Sequence, residues 1–202
     1  MSQASASRWR QIPNALSFLR LLLIPPIVYL SLHQYDGLAL SLYIVVALSD
    51  YADGWLARRY HWQSRFGMIL DPLADRIFVL SMIPLLWYLD TLGLLYGIVL
   101  GVRCLLQASV VPVVLLWLKR PFGIRAMWLQ LFASVTAYIV LGLGFADEAR
   151  YLWLPSTSGA RFIFERTVGA MTFIGLLLEV AVLIRFAPRY LHVLQKRKNT
   201  FE

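Results

Sequence analysis

Six apolar segments, at about 15–32, 37–57, 68–89, 94–118, 127–145 and 167–186, constrain this chain more than any other feature. Each is close to the roughly 20 residues that a helix needs to cross the hydrocarbon core of a bilayer. A chain inside hydrocarbon must satisfy its own backbone hydrogen bonds, and a helix does so within one segment. The segments therefore predict an all-α fold: a polytopic integral membrane protein with six transmembrane helices in one bundle. Composition points the same way. Only 15% of the 202 residues are charged and 59% are hydrophobic, whereas soluble domains are about 25% charged. No internal repeat, low-complexity tract or second domain interrupts the pattern. Residues 1–202 are expected to form a single membrane domain, with short cytoplasmic tails over about 1–12 and 188–202.

A net charge of +8 suggests nucleic acid until the charges are placed. Basic residues gather at alternate ends of the segments: Arg8 and Arg10; Arg58, Arg59 and Arg65; Lys119, Arg120 and Arg125; Arg189, Lys196, Arg197 and Lys198. Of the opposite turns, the first holds His33 and Asp36 and the second Asp90, with no Lys or Arg in either. The last, roughly 146–166, balances Asp147, Glu148 and Glu165 against Arg150, Arg161 and Arg166. This asymmetry follows the positive-inside rule and puts both termini in the cytoplasm. The cations sit where anionic headgroups of membrane lipids lie. Without a basic soluble domain, no nucleic-acid partner is expected.

Several features have ordinary readings. Arg20, Pro25 and Pro26 interrupt the first apolar run, which reads as a retained helix and not as a signal peptide. Cys104 is the lone cysteine and has no internal disulfide partner. Trp153, Pro155 and Gly159 suggest an interfacial loop with aromatic anchoring. Gly97 and Gly101 form a GxxxG, for which plain close packing is favoured over a specific dimer face.

The chemistry-bearing stretch runs Ser49-Asp50-Tyr51-Ala52-Asp53-Gly54-Trp55-Leu56-Ala57-Arg58, then Gly67-Met68-Ile69-Leu70-Asp71-Pro72-Leu73-Ala74-Asp75. Four carboxylates thus lie at or inside the ends of two apolar segments. An ionised Asp at a helix centre costs about 2.5–3.5 kcal/mol to insert, less near an end, so four together need compensation. Asp50 and Asp53 are three apart and Asp71 and Asp75 four apart, so each pair shares a helix face. Antiparallel neighbours joined by a short cytoplasmic loop can bring the two pairs face to face. Hard oxygen donors in that number suit Mg²⁺ or Mn²⁺ better than zinc. Gly54 and Gly67 leave room for a bulky ligand against the backbone, and Arg58 offers a planar cation to a phosphate or to one of the carboxylates. The competing reading is a set of Asp–Arg pairs and helix caps at a polar membrane edge.

These residues resemble the signature of the CDP-alcohol phosphotransferase family, D-x-x-D-G-x-x-A-R, eight residues, then G-x-x-x-D-x-x-x-D. Every specified position matches: Asp50, Asp53, Gly54, Ala57, Arg58, Gly67, Asp71 and Asp75. The resemblance implies a site for two Mg²⁺ or Mn²⁺ ions held by Asp50, Asp53, Asp71 and Asp75, with Asp75 also the catalytic general base. Gly54, Ala57, Arg58 and Gly67 would border the CDP moiety, and the protein would be a homodimer. The run Pro13-Asn14-Ala15-Leu16-Ser17-Phe18-Leu19-Arg20 is similar to the family's first-helix pattern, Pro-Asn-x-x-[Ser/Thr]-x-x-Arg. It assigns Asn14 and Arg20 to the substrate phosphate region, against the plainer reading of a helix cap and a snorkelling arginine.

Arg103 lies well inside the fourth segment and needs an anionic partner there. With Arg125 it is the further candidate for the substrate phosphate. Family members with glycerol phosphate or lipid acceptors often have an acid after this Arg and Gly-Lys-x-x-Thr before the fifth helix. This chain has Cys104, and Gly123-Ile124-Arg125-Ala126-Met127. Glu179 is expected to be structural, paired with an arginine or at a dimer contact. The resemblance is greatest to phosphatidylglycerophosphate and cardiolipin synthases. It implies transfer of the phosphatidyl group of CDP-diacylglycerol to glycerol 3-phosphate with release of CMP. Phosphatidylglycerol as acceptor is the alternative, and a non-catalytic membrane protein keeping the fold is a third reading. The implied location is a bacterial inner (plasma) membrane, with the site facing the cytoplasm.

Overall fold

The computed structural model describes residues 12–60, 67–112, 128–153 and 158–194, and side chains over 16–49, 70–109, 128–153 and 159–188. Within them lie six α-helices, one 3₁₀ turn and no strand, so the fold is all-α as expected. The helices are α1 (Ile12–Leu32), α2 (Asp36–Tyr60), α3 (Gly67–Tyr88), α4 (Leu94–Pro112), α5 (Trp128–Glu148) and α6 (Ser158–Leu194), with the 3₁₀ turn Ala149–Leu152 after α5. The chain divides into two compact units, Met1–Leu85 and Leu86–Glu202.

In the first unit α1 and α2 form a hairpin through a three-residue turn. The Tyr35 amide donates to the Leu30 carbonyl at 2.9 Å and the Gln34 amide to Ser31 at 3.3 Å, with Gln34 in the left-handed region at φ 63°. This is a Schellman cap, which satisfies carbonyls that a helix end leaves open. Asp36 then sits in the first turn of α2, where a negative charge favours the helix dipole. The end of α3, which belongs to the second unit, repeats the device. Thr91 donates to Leu86 at 3.0 Å and Asp90 to Trp87 at 3.1 Å, with Asp90 at φ 59°. Neither turn uses the glycine usual at that position. The core of the first unit gathers Ile27, Tyr43, Val46, Ala74, Phe78 and Met82, all buried, with the Tyr43 and Phe78 rings 5.8 Å apart.

In the second unit α6 packs against both α4 and α5. Small residues make room for large ones. A Cβ on Gly97 would stand 2.6 Å from the Trp87 indole, and one on Gly175 would stand 2.9 Å from the Tyr96 ring. Gly97 therefore serves close packing within the chain, as favoured above. The centre of this unit holds an ion pair: Arg103 Nε lies 2.6 Å from Glu179 Oε2, with the side chains 3% and 0% exposed. The two charges are in contact, although that N–H is not directed along a hydrogen bond. Ser134 Oγ accepts from Arg103 Nη1 at 3.5 Å. Glu179 is thus the anion that Arg103 requires, and the structural expectation for Glu179 holds.

Among the described residues, two helical stretches are long and apolar enough to cross a bilayer, Trp128–Leu152 and Gly159–Pro188. The apolar stretches of Leu16–Leu32, Asp36–Ser49 and Leu94–Ser109 are shorter. Many large apolar side chains face outward, Phe18, Leu22, Tyr88, Leu105 and Ile184 among them. Extensive exposed apolar surface marks membrane or protein contact more often than water. α6 is the largest departure from expectation. It begins at Ser158, inside the segment read as a loop, and its 37 residues reach about 55 Å at 1.5 Å each. Its first turns carry contacts at i,i+4 spacing: Arg161 donates to Glu165 at 3.0 Å, and Arg166 covers the Phe162 ring at 5.1 Å. Trp153 meets Phe164 edge-on at 5.2 Å.

Removing one member of a buried ion pair leaves the other uncompensated, at a cost of about 3–5 kcal/mol. Glu179→Ala is expected to lower stability by that amount, measured as unfolding in detergent. An unchanged midpoint would mean that Arg103 finds another anion.

Candidate active site

Within the first unit the polar face of α1 meets the acidic face of α3. Ser17 and Arg20 are three residues apart and Asp71 and Asp75 four apart, so each pair occupies successive turns of one helix face. Ser17 Oγ donates to Asp71 Oδ1 at 2.5 Å. Arg20 Nη1 donates to Asp75 Oδ1 as a salt bridge. Residue numbers rise together along the two rungs, so α1 and α3 run in the same direction here.

Burial is uneven across the rungs. Ser17 and Arg20 are 1% and 3% exposed, whereas the Asp75 side chain is 29% exposed. A guanidinium sealed in an apolar unit needs its anion, and Asp75 supplies it while keeping a face open. One turn away, Arg76 Nη1 donates to the Pro72 carbonyl at 2.6 Å.

The remaining expected site residues fall as follows. Asp50, Asp53, Gly54, Ala57 and Arg58 all lie on the unbroken helix α2, where helical spacing keeps Asp50 and Asp53 on one face. Gly67 opens α3 and Asn14 is in the first turn of α1. The side chains at these positions, and Arg125 as a whole, lie outside the described residues. Arg103 belongs to the second unit, held by Glu179. The structure thus joins Arg20, Asp71 and Asp75, and adds Ser17, a position of the first-helix pattern that the sequence analysis did not assign to the site. Its three-residue spacing from Asn14 and Arg20 was the signal; the partner on α3 was not visible.

The donor chemistry here fits a hard cation. A carboxylate offers about four lone-pair sites, so the bond from Ser17 leaves Asp71 with further acceptor capacity, and Asp75 is accessible. Oxygen donors of this kind suit Mg²⁺ or Mn²⁺. Among the described residues no three His, Cys, Asp or Glu side chains converge; the side chains of Asp50 and Asp53 lie outside the described residues.

A family model described as CDP-alcohol phosphatidyltransferase matches residues 10–183. Among curated proteins, the chain is 43% identical over 72 residues to the CDP-diacylglycerol–glycerol-3-phosphate 3-phosphatidyltransferase of Cereibacter sphaeroides, covering 34% of this chain and 33% of that protein. It is 38% identical over 108 residues to the cardiolipin synthase (CMP-forming) of Streptomyces coelicolor, covering 50% of each. A protein of Aquifex aeolicus with the same name as the first is 45% identical over 67 residues, covering 33% of this chain and 38% of that protein. The matched segments thus span between a third and a half of these relatives' own lengths.

The Arg20–Asp75 pair has a direct test. Asp75→Asn removes the anion from a guanidinium that stays buried, and stability in chelator is expected to fall by about 3 kcal/mol, the low end for a buried pair because Asp75 is partly exposed. Equal unfolding midpoints for the variant and the parent protein would contradict the pairing.

Proposed function

The chain belongs to the CDP-alcohol phosphatidyltransferase family, and from that premise we propose that it transfers the phosphatidyl group of CDP-diacylglycerol to glycerol 3-phosphate, releasing CMP. The observation that carries the reading is the pair of accessible carboxylates on α3, each bonded from α1, inside a complete acidic signature. Relatives named for this reaction match the chain in part.

Asp50, Asp53, Asp71 and Asp75 would hold two Mg²⁺ or Mn²⁺ ions. When bound, divalent cations supply positive charge to the pyrophosphate and to the departing CMP. Gly54, Ala57 and Gly67 present little side chain where CDP would lie, and Arg58 offers it a planar cation. Arg20 and Asn14 serve the phosphate region from α1. Asp75 accepts the proton of the acceptor hydroxyl as that oxygen bonds to the phosphatidyl phosphorus and the bond to CMP breaks. A dianionic acceptor needs cations of its own, for which Arg103 and Arg125 are the candidates; Arg103 would share its charge with Glu179.

The wider setting belongs to the same proposal. Six spans in one domain over residues 1–202 put both termini and the site on the cytoplasmic side of a bacterial inner membrane, supported by the alternating charge of the loops. A nucleotide head and buried acyl tails can both reach a site at that interface. A homodimer is the assembly that the family resemblance implies. A lipid acceptor, phosphatidylglycerol, is the second reading, favoured by the match to a cardiolipin synthase over half of this chain.

Release of CMP from CDP-diacylglycerol, with acceptors supplied singly, separates the readings. The expected result is Mg²⁺-dependent release with glycerol 3-phosphate. Release with phosphatidylglycerol alone would establish the second reading, and no release with any acceptor would refute both. Asp71→Asn is expected to leave a folded membrane protein with turnover lost, and near-normal turnover would remove Asp71 from the site.

A further inference from the structure

Several hydroxyls among the described residues bond locally. Ser41, Ser49, Ser81, Thr136 and Thr167 each turn back to the carbonyl four residues earlier in their own helix, at 2.7–2.8 Å. That is the local partner open to a hydroxyl in an apolar helix. Ser17 reaches another helix and donates to Asp71 Oδ1 at 2.5 Å, while itself only 1% exposed. A hydrogen bond to an ionised carboxylate is charge-assisted.

We propose that Ser17 is a positioning residue for cation binding: its hydroxyl fixes which way the Asp71 carboxylate faces, and so presets that carboxylate as a ligand. The inference rests on the reading of Asp71 as a metal ligand. The terminal torsion of an aspartate is broad, so an unrestrained carboxylate must lose orientational freedom when it takes up an ion. A hydrogen bond to one oxygen removes that freedom beforehand, as the outer partners of metal ligands do in general. Arg20 restrains Asp75 in the same way one turn along, with a full positive charge. The Ser17 hydroxyl is a neutral donor, so its own bond orients Asp71 without adding charge that would repel an incoming cation.

The test follows Mn²⁺ binding to the purified full-length protein by the paramagnetic resonance of free Mn²⁺, with thermal unfolding in chelator measured alongside. Ser17→Ala is expected to weaken Mn²⁺ affinity about tenfold, the lower range for loss of such a partner, and to raise the Mg²⁺ concentration for half-maximal rate by a similar factor. Ser17→Thr keeps the hydroxyl and is expected to retain the parent affinity. Asp71→Asn is expected to lose binding more severely than either. If Ser17→Ala lowers only the unfolding midpoint and binds Mn²⁺ as the parent does, the bond merely fastens α1 to α3 and the inference is overturned. If Asp71→Asn itself binds Mn²⁺ normally, the ligand role of Asp71 fails, and the inference with it.

Discussion

An ionised side chain among apolar helices needs an opposite charge within reach, and that requirement shapes both compact units. Burial of an unpaired carboxylate or guanidinium costs several kcal/mol even after relaxation. Water is scarce between helices whose outward residues include Phe18, Leu22 and Ile184. The charged residues of the helices therefore reveal, through their partners, what each one is for.

The two units meet the requirement differently. Arg103 and Glu179 are both sealed, 3% and 0% exposed, and join α4 to α6. Arg20 and Asp75 are asymmetric: the guanidinium is buried, while the carboxylate is 29% exposed. A symmetric buried pair ties two helices together. An open carboxylate backed by a buried cation can serve a ligand, and Asp71, one turn away with its neutral Ser17 donor, extends the same acidic surface. Under the proposed function this surface, together with Asp50 and Asp53 of α2, holds the ions that make the pyrophosphate reactive.

Much of the fold was legible because apolar run length translates directly into helix length. Each of the six apolar segments corresponds to one of the six helices described. The start of α6 differs from expectation because Arg161, Glu165 and Arg166 look like loop residues in a list, yet a spacing of four brings Arg161 to Glu165 and Arg166 to Phe162 along a helix surface. The acidic pairs were legible from spacing alone. Their partners were not: nothing local in the sequence links Ser17 to Asp71, 54 residues away, or Arg103 to Glu179. Polarity within an apolar segment marks a residue as needing a partner, and only the packing of helices identifies which one.

The central claim is that the acidic faces of α2 and α3 point at a common place and hold cations there. Anomalous diffraction from crystals grown with Mn²⁺ tests it most directly. Manganese peaks are predicted within bonding distance of the carboxylates of Asp50, Asp53 and Asp71, with Asp75 alongside. Peaks elsewhere, or the α2 carboxylates closed onto arginines with no manganese between the helices, would contradict it.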